Sequence, residues 1–329
     1  MFFVAIIEIF QTIINKYLDL LQLLNSFNFM ENKSPHIFTI LQALFVTFLW
    51  STSFVIIKLG LVEIPPITFA GLRYSLAFLC FLPVILYKRN YVEEIKNLNQ
   101  VQWKKLILLG LVFYTFTQGA QFLGLSLLPS VTVSLMLNFT PIVVAVLGIF
   151  FLNEKPTPLQ WIGTLLFIIG ILTYFFPINL LENELIGLGV MFIGVLANAA
   201  SAVIGRDINR NKNISPLVIT FISMGIGAII LLAVGLSLNG LPSISFKNWL
   251  FLIWLAAINT AFAFTLWNLT LRNLTAMESS IINGTMLIQI AFLAWIFLGE
   301  TISFQEGIGM LIAAIGALFV QLKKRKLKG

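Results

Sequence analysis

Two ionisable side chains lie inside long apolar stretches, where a charge costs several kcal/mol and is functional by default. Arg73, in the stretch PPITFAGLRYSLAF, follows Pro66 by seven residues, about 10 Å along a helix at 1.5 Å per residue. It can attract a carboxylate or phosphate, or it can bond helix-end carbonyls and snorkel outward. Glu278 sits about one turn into a later apolar run. Buried, it would gain affinity for a proton and could couple proton movement to another event; shallow, it reaches the headgroups or offsets Arg272. Neutral polar residues occupy the middle of other apolar runs. Tyr114, Gln118 and Gln121 share one helical face, Asn138 and Asn283 lie at similar depth, and Trp50, Asn198 and the pair Trp267 and Asn268 complete the set. Together they are candidates to line a binding site for a small polar molecule. Each could instead hydrogen-bond helices together, typically for about 1 kcal/mol.

Catalysis finds little material here. The chain has one histidine, His36, and one cysteine, Cys80, too few for a zinc cluster, a Cys–His pair or an internal disulfide. No glycine-rich loop carries the lysine of an ATP-binding P-loop. Glu154 and Glu300 could suggest a carboxylate pair, but each precedes a helix start, where negative charge meets the positive end of the helix dipole. No metal, cofactor or catalytic residue is expected.

Long hydrophobic elements must position these groups. Of 329 residues 59% are hydrophobic and 10% charged, against about a quarter charged in a soluble domain. Apolar runs of about 20 residues, enough to cross roughly 30 Å of hydrocarbon, fall at 37–58, 66–87, 106–127, 129–152, 159–178, 186–206, 216–238, 249–271, 274–298 and 304–322. Lipid offers no partner to the backbone, and runs this long do not alternate as barrel strands do, so they read as ten helices. With the N-terminus inside, 17 of the 20 Lys and Arg fall on cytoplasmic segments, leaving Lys58, Lys247 and Arg73. The expected location is therefore a bacterial cytoplasmic membrane, multi-pass, with both termini inside. The net charge of +7 needs no nucleic acid to explain it, and the basic tail 323–329 suits anionic lipid headgroups. Residues 1–35 form a separate segment. Glu8, Gln11, Asn15, Asp19, Gln22 and Asn25 step by three or four, as on an amphipathic helix at the interface, and no basic n-region marks a signal peptide. Met30 leaves open a second reading, an extension upstream of the start.

One motif is written twice. FLNEKPTPLQWIG begins at Phe151 and FLGETISFQEGIG at Phe297, 146 positions later. Thr157 and Gln160 form a capping box, as do Ser303 and Glu306, so both copies begin a helix. Gly163 and Gly170 recur as Gly309 and Gly316, small residues that admit a close neighbour. Five spans separate the copies, so the second is upside down relative to the first. The expected fold is all-α integral membrane, ten transmembrane helices as two inverted five-helix repeats, 36–178 and 186–322. Such repeats typify secondary carriers with a midplane site between the halves.

The stretches LWSTSFVIIKLGL from Leu49, PPITFAGLRYSLAF from Pro65 and TPIVVAVLGIFFLNE ending at Glu154 resemble the EamA-type ten-helix exporters of the drug/metabolite transporter superfamily. The resemblance covers about residues 37–322. It implies a secondary carrier exporting amino acids or related small metabolites, with Arg73 at the family's arginine position. Two positions depart from the internal symmetry. Leu287 replaces Pro141, so the kink of the ninth span is missing or moved, and the sixth span carries Asn198 near the place, two residues on, where the first half has Trp50. A site between such halves would be asymmetric. Two other readings stand beside export: a flippase for a lipid-linked or phosphate-bearing metabolite, and a membrane enzyme or sensor, for which no acid/base cluster is present. The expected partners are a small-molecule substrate and membrane lipids, and the sequence leaves open whether two copies pair as a homodimer.

Overall fold

The computed structural model describes residues 36–152, 157–176, 181–210, 214–270, 274 and 282–321. These residues form helices joined by short turns, without a strand among them. The helices are α1 His36–Gly60, α2 Pro66–Tyr87, α3 Arg89–Lys96, α4 Gln100–Leu127, α5 Ser130–Leu137 and α6 Thr140–Leu152. They continue as α7 Pro158–Phe175, α8 Glu182–Arg210, α9 Pro216–Asn239, α10 Phe246–Trp267, α11 Met286–Leu298 and α12 Phe304–Gln321. Seven are long and apolar enough to cross a membrane; the fourth, ninth and tenth expected spans correspond to the shorter apolar runs Ser130–Val144, Ile282–Leu298 and Phe304–Val320.

Local sequence sets the helix starts. Thr157 and Gln160 make both bonds of the expected capping box. Ser303 and Glu306 do the same, at 2.6 and 3.2 Å. Asn99 with Gln102 caps α4, and the hydroxyls of Ser215 and Ser245 cap α9 and α10. Proline occupies the first turn of α2, α7 and α9, where its missing N–H costs nothing. The fourth span breaks at residues 138–139, just ahead of Pro141, which cannot donate back into the preceding turn. A turn also interrupts the ninth span at Thr285, beside Gly284, so a break persists there without the proline. The connection between α2 and α4 holds the short helix α3.

The element starts repeat at a fixed spacing. Gln100 and Phe246, and Pro158 and Phe304, each lie 146 positions apart. Both α4 and α10 widen into a π-helical segment midway, at Gly110–Thr117 and Ala257–Phe262.

Packing pairs the corresponding helices. α7 and α12 lie antiparallel, with Gly163 against the backbone of Gly316 and Gly170 against that of Gly309. The gap holds no side chain, because an added Cβ at Gly163 would come within 2.7 Å of Gly316 O. α2 and α9 approach the same way through Gly71 and Gly235. Leu165 and Leu172 of α7 and Leu311 and Ile315 of α12 stay exposed, the pattern of helices that meet lipid.

The helix ends gather into two groups. At one end Lys58 Nζ donates to the carbonyls of Leu125 and Leu128 at 2.8 and 2.5 Å. Glu300 accepts the N–H groups of Ser130 and Val131 at 2.8 and 3.3 Å. It thus caps α5, not the following helix α12, which Ser303 and Glu306 cap. At the other end Lys105 pairs with Asp207 at 2.5 Å, and Glu94 accepts the Ser215 N–H.

Candidate functional site

Among the described residues the buried polar side chains lie mainly on α1, α2, α4, α5 and α10, with Ser201 on α8 and Ser223 on α9. Arg73 is 4% exposed. Its Nε donates to Thr260 Oγ1 at 3.1 Å, while its guanidinium carbon lies 5.3 Å from the Tyr74 ring centroid and 6.0 Å from that of Phe122. Thr260 passes the chain on, donating at 2.8 Å to Leu255 O five residues back. Thr117 makes the matching bond to Val112 O in the first π segment. The π-helical widening therefore places a threonine hydroxyl on a backbone carbonyl in both helices, and π-bulges recur at functional sites.

Tyr74 is the hub on the other side. Its hydroxyl donates to Gln118 Oε1 at 2.6 Å, and its ring meets that of Tyr114 edge-on at 5.5 Å. Three candidates named from sequence, Arg73, Tyr114 and Gln118, thus meet around one tyrosine that sequence reasoning passed over. A second pair also meets: Trp50 lies 5.2 Å from Trp267 and 5.3 Å from Phe264, with its indole N–H enclosed and unpartnered.

The remaining candidates lie elsewhere. Asn138 donates to Ser134 O in its own helix end, and Asn198 ties α8 to α6 through Thr140 Oγ1 at 3.0 Å. Gln121 is half-buried and Asn283 exposed. The Asn268 side chain and Glu278 lie outside the described residues.

Two polar residues of this interior escaped sequence reasoning. Asn259, in the second π segment, is fully buried; its amide donates to Leu49 O, Thr52 Oγ1 and Ser53 Oγ, and its Oδ1 has no partner. Gln289 on α11 accepts from Ser51 Oγ at 2.9 Å and donates to Thr285 and Thr47. Both stitch α1 to the second half of the chain. No group of three metal-binding side chains occurs among the described residues.

Just outside the apolar region, Glu63 lies in the turn between α1 and α2. Hydrogen bonds from the Asn248 side chain and then from the Ser245 backbone N–H hold its carboxyl below the ordinary carboxylate range.

Comparisons with known proteins agree with this architecture. The model of the EamA-like transporter family matches the chain twice, over residues 37–176 and 185–322. A protein of Bacillus subtilis named "Uncharacterized transporter YoaV" is 23% identical over 278 residues, 82% of this chain and 92% of that protein. A "Probable amino-acid metabolite efflux pump" of Escherichia coli is 31% identical over 163 residues, 49% of this chain and 48% of that protein. One crystal structure superposes with a TM-score of 0.62 at 16% identity, covering 86% of this chain and 96% of that one, a likeness of fold.

Proposed function

The chain belongs to the EamA-like transporter family, and on that premise we propose that it is a secondary carrier that exports small metabolites such as amino acids. In this reading residues 36–178 and 186–322 are two inverted five-helix halves, ten membrane helices in all, which rock around a shared site near the bilayer midplane. The observation that carries it is the reciprocal packing of α7 and α12. Each repeated glycine meets the opposite glycine of the other copy, Gly163 with Gly316 and Gly170 with Gly309, as a two-fold axis in the membrane plane requires. The common spacing of helix starts and the matched π segments support the same symmetry.

The site is the polar interior around Arg73, Tyr74, Gln118, Thr260 and Asn259, with Trp50 and Trp267 as an aromatic side. Closure at one end would come from Lys58 and Glu300, which reach the α4–α5 turn from two different halves. Closure at the other would come from the Lys105–Asp207 pair and from Glu94 on Ser215. The distribution of basic residues favours the Lys105 end and both termini on the cytoplasmic side of a cell membrane. The printed name of the Escherichia coli relative supports amino-acid metabolites as the first cargo to try.

The test is efflux of labelled amino acids and common metabolites from proteoliposomes holding the purified chain, with and without a proton gradient. Movement above that of empty vesicles is expected for at least one cargo. No movement of any cargo under any gradient sinks the carrier reading and turns attention to lipid-linked metabolites.

A further inference from the structure

Among the described residues, Arg73 is a buried positive charge without a negative partner. Arg73 is charged at any physiological pH and presents five N–H donors. Yet it is 4% exposed, its one hydrogen bond goes to a neutral hydroxyl, and no acidic group lies within ion-pair distance among the described residues. Two aromatic rings flank the guanidinium, which offsets only part of the cost of taking a cation out of water. Its Nη nitrogens, unlike Trp50 Nε1, are not among the fully enclosed unpartnered atoms.

Gln118 supplies the second observation. Tyr74 donates to its carbonyl oxygen at 2.6 Å, which fixes the amide and turns its Nε2 hydrogens away from the tyrosine, with no acceptor for them among the described residues. Tyr74 thus holds the guanidinium against its ring and the amide at its hydroxyl. The free groups on both sides are donors. Donors of this kind satisfy oxygen acceptors, and the guanidinium repels an ammonium group.

We propose that Arg73 and Gln118 form a subsite for an anionic oxygen group of the cargo, a carboxylate or a phosphate, so that the cargo itself supplies the missing counter-charge. The inference rests on the carrier reading for its cargo, but it is a statement about binding and can be tested without transport. It also gives the arginine a role in the cycle. With the subsite empty the buried cation is uncompensated, and with it filled the charge is neutral, so occupied and empty carriers differ in the cost of closing around it.

The experiment measures the unfolding midpoint and the tryptophan fluorescence of the purified full chain against the twenty common amino acids and their α-carboxamides. A second arm uses inorganic phosphate and glycerol 3-phosphate. At least one acid or phosphate should bind, and its neutral amide or dephosphorylated analogue should bind on the order of 10–100-fold more weakly. Which arm responds identifies the anion. Binding should vanish in Arg73→Gln, survive in part in Arg73→Lys and weaken about tenfold in Gln118→Leu. Ligand-free Arg73→Gln should unfold no earlier than the parent, whereas a purely structural arginine would lower the midpoint. Equal binding of acid and amide, undiminished binding by Arg73→Gln, or no binding by any anion would overturn the subsite. An acid that binds through Arg73 yet does not cross vesicles would leave the subsite standing and remove the carrier reading.

Discussion

Adding one methyl group between α7 and α12 separates a helix-propensity effect from a packing effect. In Gly163→Ala the new Cβ would lie 2.7 Å from Gly316 O, Phe319 Cβ and Val320 N. Ordinary contact begins at 3.4 Å, so the helices must part by about 0.7 Å. Two of those three atoms are backbone and cannot rotate aside. Gly309→Ala, at the equivalent position of the second copy, meets Tyr174 N at 2.6 Å and Gly170 O at 2.7 Å. Overpacking of this kind costs about 1–3 kcal/mol, against a gain of up to about 1 kcal/mol from replacing a helical glycine. Gly307→Ala, on the same helix with nothing within 4 Å of its Cβ, keeps the gain without the clash. Reversible unfolding in mixed micelles should therefore place Gly163→Ala and Gly309→Ala about 1–3 kcal/mol below Gly307→Ala. The double variant should cost less than the two single ones together, since one displacement of the pair relieves both contacts. Equal stability of Gly163→Ala and Gly307→Ala would refute the close glycine seam.

Other perturbations probe the ends of the bundle. Lys58→Met strips a charged donor from the Leu125 and Leu128 carbonyls, a loss of about 1–3 kcal/mol, and should speed maleimide labelling of Ser130→Cys, a buried position in the same turn; an unchanged rate would deny Lys58 its closing role. Glu63 has a folded-state pKa below the ordinary 4.5, so its stabilisation is present above that value and fades as pH falls through the lower one. Glu63→Gln should flatten the acid limb of a stability–pH curve below pH 4.5, and an identical limb would show that Glu63 does not shape it. Thr157→Ala and Ser303→Ala each remove a cap worth about 1 kcal/mol, and hydrogen exchange should rise in the first turn of α7 and α12 respectively.

The legible part of this protein was what single letters and their spacing encode. Thr157 with Gln160, Ser303 with Glu306 and the four glycines required only a fixed offset, and all do in the structure what their types permit. Arg73 stood out because a charge in an apolar run is costly, while its letter and position alone left both a substrate role and a helix-end role open. Tyr74, one residue on, was passed over because a tyrosine in such a run reads as packing until its hydroxyl is seen to hold Gln118. Asn259 and Gln289 were missed for a related reason: their partners Leu49, Ser51 and Ser53 lie more than 200 residues away on α1. Glu300 was matched to the wrong helix because a helix dipole acts through space, and the nearest positive end belongs to α5. The π segments leave no sequence mark, since a wider helical turn uses the same residues as a regular one.

The account stands on two halves that face opposite ways. In a Cys80→Ser background, which removes the single native thiol, Thr157→Cys and Ser303→Cys can be labelled in intact cells with a membrane-impermeant maleimide. Ser303→Cys should react from outside, and Thr157→Cys only after the membrane is opened. Reaction of both from the same side would contradict the inverted arrangement, and with it the alternating site between the halves.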